Sequence, residues 1–233
     1  MSALRSDSAI VAMPDVPAHE LVGGATGASL RLPAGGLVLG ADEHAVTFTI
    51  RLFSEQPARV RMFADSPLAQ LVVLRALALG ARVSVLTDEV AAWTPLVRAL
   101  PRSAHGAPGP FTVLPVGGHV RAAATAAVPS LVVRAATGVR SPERGAWQTV
   151  LATDPAATIS PTQLMDLRDH QVLFTERVPP FAVERIRETF GLPYDRAVWL
   201  SQLPAGRIAV VAPGQLSLVE VSRSAAERAL LGR

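Results

Sequence analysis

The stretch that most constrains this chain runs from Ala58 to Leu100 and reads as strand, helix, strand, helix. Ala58–Ala64 is a short strand bounded by Asp65-Ser66-Pro67. Ser66 is suited to cap the following helix, and Pro67 to its first position, where a missing N–H costs nothing. Leu68, Leu71, Val72, Arg75 and Leu79 share one helical face, with Val73, Leu74 and Leu77 close beside it. A helix so nearly apolar all round, here Leu68–Gly80, is built to be buried between layers. Gly80 closes it as a C-terminal cap. Ala81–Leu86 is a second, β-branched strand, and Thr87-Asp88-Glu89 opens another helix. Two strands joined by a crossover helix are expected to pair in parallel with a right-handed connection. The fold class is therefore α/β: mixed sheet or sheets with a Rossmann-like βαβα core and additional antiparallel hairpins.

Bulk properties narrow the class of protein. At 233 residues and 49% hydrophobic residues, the chain can bury a substantial core. No apolar run reaches the roughly 18 residues that a membrane-crossing helix needs. The N-terminus lacks the basic-then-apolar layout of a secretory signal, which points to the cytoplasm or a cytoplasmic face. With no cysteine, there are no disulfides, thiolate metal sites or cysteine nucleophiles. Lysine is also absent, so all 22 basic residues are arginine, in keeping with GC-rich coding, while the net charge is only +3. The arginines are dispersed and aromatics amount to 5%, so neither a basic stripe nor a stacking platform for nucleic acid is present.

Along the chain, residues 1–20 read as a flexible N-terminus. Ala28–Leu32 and Gly36–Leu39 suggest short strands joined by a Pro-Ala-Gly-Gly turn. Ala45–Phe53 alternates as a half-buried strand. Pro101–Pro110 is a long loop expected to be mobile. Phe111–Val116, Leu131–Val133, Trp147–Ala152 and Gln171–Phe174 read as strands, whereas Val120–Ala127 is ambiguous between helix and strand. Thr137–Ala146 reads as a loop. Thr162–Arg168 is a short helix after Ser160-Pro161, and Pro180–Phe190 is an amphipathic helix stopped by Gly191. Val198–Leu203 and Arg207–Val211 suggest a hairpin around Pro204-Ala205-Gly206. Leu216–Val221 is one more strand. Ser222–Leu231 is a terminal helix capped by Ser222 or Ser224, with Glu227 in its early part.

Few residues suggest chemistry. In a doubly wound sheet a nucleotide would sit at the Phe63–Pro67 corner, where glycines let backbone approach phosphate. Here the corner is Ala64-Asp65-Ser66-Pro67, and neither G-x-G-x-x-G nor G-x-x-x-x-G-K-[ST] occurs. Asp88, after the second strand, could hold a ribose. Otherwise Asp65 and Asp88 are helix-entry residues. Of His19, His44, His105, His119 and His170, none are three or four apart. Asp166, Asp169 and His170 form an acidic–histidine cluster, and on a helix Asp166 and His170 would share a face. No G-x-S-x-G nucleophile elbow is present, and Ser103 with His105 lies in a loop. Gly117-Gly118-His119 reads as a tight turn rather than an anion nest. No catalytic, cofactor-binding or metal-binding residue is nominated. Trp147 and Trp199 are expected in the core.

One run has a family character. TFTIRLFSEQPARVRMFADSPLAQLVVLRALALGARVSVLTDEVAAW resembles the soluble domain of EccE components of type VII (ESX) secretion systems. The matching residues are Val46–Phe53, Pro57–Val60, Arg75–Thr87 and Trp93, with Trp147-Gln148-Thr149 and Ala226-Glu227-Arg228 in keeping. The resemblance implies a bacterial, actinobacterial secretion apparatus. In it the chain would be a non-catalytic structural subunit working through contacts with EccB, EccC and EccD components at the cytoplasmic side of the cell membrane. It departs from the family in lacking the usual two N-terminal transmembrane helices, so any membrane association would be indirect. Residues 21–233 are then one EccE-like α/β domain, or two subdomains meeting near 101–110.

The expectations are therefore a chain that is no enzyme, carries no cofactor and meets other secretion components. Two other readings stand beside this one. The first is a nucleotide- or sugar-nucleotide-binding domain using the Ala64–Pro67 edge and Asp88. The second is a homo-oligomer pairing through an exposed strand, Phe111–Val116 or Leu216–Val221.

Overall fold

The structure, a computed structural model, describes residues 20–22, 29–31, 36–100, 109–120, 123–135 and 145–231. The expectations for residues 1–19, for the loop up to residue 108, for most of Thr137–Ala146, and for His19, Ser103 and His105 lie outside the described residues.

Strands β1 (Glu20–Val22) and β2 (Ser29–Arg31) pair with each other, antiparallel. The Pro-Ala-Gly-Gly turn expected between the second and third strands lies mostly outside the described residues, and β2 pairs with β1. Strands β3 (Leu37–Asp42) and β4 (Thr47–Ile50) make the next antiparallel pair, with a bulge between Val38 and Gly40. The core motif follows: β5 (Ala58–Phe63), α1 (Ser66–Ala78), β6 (Arg82–Leu86), then a 3-10 turn Val90–Trp93 running into α2 (Thr94–Ala99). Strands β7 (Phe111–Leu114), β8 (Ser130–Arg134) and β9 (Gln148–Asp154) come next. Residues 123–127 form neither helix nor strand. Helix α3 (Pro161–Met165) and a 3-10 turn Asp166–Asp169 lead to β10 (Val172–Thr175). Helices α4 (Pro180–Phe190) and α5 (Tyr194–Ala197), the hairpin β11 (Arg207–Ala212) and β12 (Gln215–Val221), and α6 (Ala225–Leu231) complete the chain.

Ten strands form one mixed sheet in the order β4-β3-β12-β11-β10-β5-β9-β8-β6-β7. The run from β10 to β7 is parallel, and β11, β12, β3 and β4 extend it as an antiparallel wing. The α/β expectation holds, but one detail of the opening motif does not. Strands β5 and β6 run parallel without being neighbours, because β9 and β8 stand between them. A crossover helix sets the direction of the next strand; which strands fill the gap depends on pairing far along the chain.

Side-chain alternation along β5 divides the two layers. Val60 and Met62 face α1 and join a core with Leu71, Val72, Val83, Leu131 and Leu151. Phe63 faces the other way and joins Leu167, Leu173, Ala182, Ile186 and Phe190. Arg61, between Val60 and Met62, points to this second side. Helix α1 buries Leu68, Leu71, Val72 and Val73, each of which stabilises by about 1.5–3 kcal/mol relative to exposure. Its buried Gln70 is satisfied, since Nε2 donates to the Ala92 carbonyl at 2.6 Å. The helix starts at Asp65, whose side chain makes no capping bond, so Ser66 does not cap it. Gly80 ends it at φ +82°, as the C-terminal glycine leads one to expect.

Gly40 is required by close approach. A Cβ there would lie 1.9 Å from the Glu220 carbonyl oxygen, where β3 and β12 come together at the bulge.

The antiparallel wing differs most from expectation. Val198–Ser201 is a 3-10 turn and not a strand, and the hairpin is β11–β12, turned at Gly214 with φ +71°. Trp199 on that turn is 50% exposed, contrary to its expected core position, because a 3-10 turn lets Leu200 face inward while its neighbour faces out. Trp147 is half-buried against the first core, and Trp93 is buried with its ring tilted against Phe111. Strand β12 lies inside the sheet, between β11 and β3, so Leu216–Val221 offers no edge; β7 does.

Candidate functional site

Two crossovers leave the sheet in opposite directions around β5. The chain leaving β5 passes through α1 on the first layer and re-enters at β6, beyond β9 and β8. The chain leaving β9 passes through α3 on the second layer and re-enters at β10, on the other side of β5. Such a divergence opens a crevice at the carboxyl ends of the strands, the general ligand position in open α/β sheets. Here that general position falls at the ends of β5, β9 and β10.

Asp65, Ser66 and Pro67 are exposed at this corner, beside a buried Ala64. The Ala64 N–H donates to the Asp154 carbonyl at 3.0 Å, joining the ends of β5 and β9. On the other side the Glu176 N–H donates to the Phe63 carbonyl at 2.9 Å, joining β10. The Asp65 N–H donates to Glu176 Oε2 at 3.0 Å. Asp88 is separated from this corner. It follows β6, three strand spacings of about 4.8 Å from β5, and is exposed there. The Ala64–Pro67 edge and Asp88 therefore do not form one site.

Beneath the corner lies a buried charge network. Arg61 and Asp154 form an ion pair with side chains only 7% and 10% exposed. Gln163 Nε2 donates to the other carboxylate oxygen, Oδ1, at 2.6 Å. Gln163 is itself fixed by a capping box on α3, accepting from the Ser160 N–H at 2.6 Å and donating its own N–H to Ser160 Oγ at 3.3 Å. The Arg61 guanidinium lies 5.2 Å from the Phe63 ring centroid. In register, Arg61 and Arg134 flank Ala152, so two guanidinium-bearing strands stand either side of β9. Burial pushes the Asp154 carboxyl above the usual carboxylate range, against the pull of Arg61 and the Gln163 amide. Burial likewise disfavours the Arg61 charge, and Asp154 opposes that. Arginine keeps its proton in proteins, so Arg61 remains charged.

The acidic–histidine cluster resolves differently from its helical reading. Asp166 and Asp169 lie on a 3-10 turn, and His170 Nδ1 lies 2.8 Å from the Asp166 backbone carbonyl rather than the carboxylate. Burial pushes His170 below the ordinary imidazole value. Asp169 pairs with Arg59 at 3.3 Å. Among the described residues, no group of three or more His, Asp or Glu is placed to hold a metal ion. Gly117 turns at φ +87° and the Gly118 N–H donates to the Pro115 carbonyl at 2.9 Å, the tight turn expected there.

Sequence reasoning missed the Arg61–Asp154–Gln163 network. Part of its signal was readable: Ser160-Pro161-Thr162-Gln163 is a capping-box pattern, and charged Arg61 interrupts an otherwise apolar strand end. The partnership itself spans 93 residues and has no local signature.

Neither a protein-family model nor a curated protein matches this chain. Solved structures do. VirB4 of Thermoanaerobacter pseudethanolicus superposes with a TM-score of 0.58 at 11% identity, over 84% of this chain and 99% of that one. The genome packaging NTPase B204 from Sulfolobus turreted icosahedral virus 2, in complex with AMP, gives 0.50 at 6% identity, over 75% of this chain and all of that one. The cytoplasmic domain of EssC gives 0.52 at 10% identity, over 82% of this chain but 44% of that one. At these identities the likeness is one of fold. It corrects the expectation that the chain is no enzyme, which reads the fold as a bare scaffold: the architecture is one that an NTPase also has. Among the described residues, no helix is long and apolar enough to cross a membrane.

Proposed function

We propose that this chain is a nucleotide-binding domain of NTPase type that works within a protein secretion apparatus. The observation that carries this reading is the strand order, in which the crossovers after β5 and β9 leave on opposite faces of the sheet, on a fold shared with an NTPase solved with AMP. The nucleotide would enter at the corner after β5 by its phosphate end, beside Asp65 and Ser66. This revises the sequence-based site, since Asp88 lies too far along the sheet to reach the same ligand.

The secretion context is supported by the type VII resemblance of Val46–Phe53, Pro57–Val60 and Arg75–Thr87, and by the fold shared with VirB4 and the EssC cytoplasmic domain. The finer EccE-type placement, at the cytoplasmic side of the membrane with EccB, EccC and EccD components as partners, rests on the sequence run alone. Exposed Phe181, Tyr194 and Trp199, all on the α4–α5 side, are available for such contacts.

Thermal unfolding with AMP, ADP and ATP tests the first part. A ligand held at a hundredfold excess over its Kd stabilises by about 2.7 kcal/mol. An unfolding midpoint that stays constant across millimolar concentrations of all three nucleotides would refute nucleotide binding. Affinity capture on the tagged chain in its own host tests the second part; recovery of no secretion component would refute it.

A further inference from the structure

Among the described residues the ten-stranded sheet ends in two edge strands, β4 and β7. The β4 edge is blunted: it belongs to the pair bulged between Val38 and Gly40, and Arg51 follows it directly. The β7 edge carries neither device. Phe111-Thr112-Val113-Leu114 is uncharged, half-buried along its length and in unbroken register with β6. Its bonds to β6 fix which backbone groups remain. The Val83 N–H donates to the Pro110 carbonyl at 2.7 Å, and the Thr87 N–H to the Leu114 carbonyl at 3.1 Å. Residues 110, 112 and 114 therefore turn their backbone groups inward to β6, and Phe111 and Val113 turn theirs outward. No described residue bonds the outward groups of Phe111 and Val113. Pro115, the next outward position, has no N–H and ends the row.

Such an edge is complementary to itself. An identical strand running antiparallel, related by a two-fold axis at Thr112, lets Phe111 exchange both of its hydrogen bonds with the partner's Val113, and Val113 with the partner's Phe111. Every outward group is then satisfied. Phe111 and Val113 are already anchored in the first core, Phe111 against Trp93, so the edge is ordered before pairing. Pairing sets an aromatic ring beside a β-branched side chain across the strands, a favourable cross-strand pair, and places Thr112 opposite Thr112. We propose that β7 is the contact between two copies of this chain, which join through Phe111–Val113 into one continuous sheet. The contact uses the same patch on both copies and so closes at two chains. Its short row of bonds makes the dimer a weak one, formed at high protein concentration. The proposal is independent of the nucleotide reading above.

Because the chain has no cysteine, Thr112→Cys places a single thiol at the two-fold axis. Directly opposed residues of a non-hydrogen-bonded antiparallel pair lie about 4.5 Å apart at Cα, within disulfide reach. In an oxidising glutathione buffer Thr112→Cys is expected to yield a disulfide-linked dimer, and Thr47→Cys, on the exposed β4 edge, to stay monomeric. Sedimentation equilibrium of the unmodified chain up to about 1 mM should show its mass rising toward that of a dimer. Thr112→Glu sets two carboxylates face to face and should weaken association at least about tenfold. Cross-linking that is absent at Thr112, or equal at Thr112 and Thr47, would overturn the proposal. So would an unmodified chain that stays monomeric throughout, or a dimer that Thr112→Glu leaves unchanged. Should Thr112→Glu fail to fold, the two cysteine variants decide the matter alone.

Discussion

Replacing Glu227 by glutamine tests how the C-terminal helix is held. Helix α6 buries no residue fully, so apolar packing alone attaches it weakly. It is joined to α1 by a two-pronged ion pair: Arg75 Nε donates to Glu227 Oε1 at 2.7 Å, and an Arg75 terminal nitrogen to Oε2 at 3.0 Å. Arg75 also donates to the carbonyls of Val38 at 2.6 Å and Leu39 at 3.0 Å, so one guanidinium ties α1, β3 and α6 together. Glu227 closes a capping box as well, accepting the Ser224 N–H at 2.7 Å. Both side chains of the ion pair are 14% exposed. The Arg75 hydrogen bonds hold the Glu227 carboxyl down from 4.5 to about 2. At about 1.36 kcal/mol per unit, that shift bounds the contribution near 3.4 kcal/mol. Allowing for solvent screening at a partly open site lowers it to about 2 kcal/mol.

The sign follows from linkage. The folded-state value is depressed, so the stabilisation is complete above the unfolded value of 4.5 and is lost as pH falls toward 2. Urea unfolding of the wild type and Glu227→Gln should therefore differ by about 2 kcal/mol at neutral pH, or about 4–8 °C in Tm for a chain of this size. The gap should narrow steadily below pH 4.5. A neutral-pH difference under about 0.5 kcal/mol would refute the reasoning, as would a difference that does not shrink in acid.

The buried Arg61–Asp154 pair leads to a second expectation. Asp154→Ala alone should cost about 3–5 kcal/mol by stranding a buried guanidinium, while the double change Arg61→Met, Asp154→Leu should recover most of it, as chemical denaturation would show. Gly40→Ala should destabilise by about 1–3 kcal/mol, because its Cβ collides with backbone and not with a flexible side chain; thermal unfolding reads this directly. Trp199→Ala should leave stability within about 0.5 kcal/mol, and a larger loss would contradict its exposed position.

Several elements of this fold were legible locally. The helix of α1, its Gly80 stop, the capped helices α3, α4 and α6, and the run of β-branched strands follow from periodicity and capping chemistry within a few residues of each position. The tight turn at Gly117-Gly118 was legible for the same reason. Val198–Leu203 was not: its apolar content suits a strand, and only packing beneath α4 and α5 makes it a 3-10 turn with Leu200 inward and Trp199 outward.

What the amino-acid order determined by itself is the inventory: an α/β chain with a buried crossover helix, no cysteine, no lysine, and a strand-to-helix corner without glycines. Tertiary structure decided the arrangement. It placed β9 and β8 between β5 and β6, turned the two crossovers apart around β5, and removed Asp88 from the corner. It also brought Asp154 to Arg61 and Glu176 to Asp65, across 93 and 111 positions. Strand pairing and buried charge are settled by the free energy of the whole sheet, and no local window of residues carries that information.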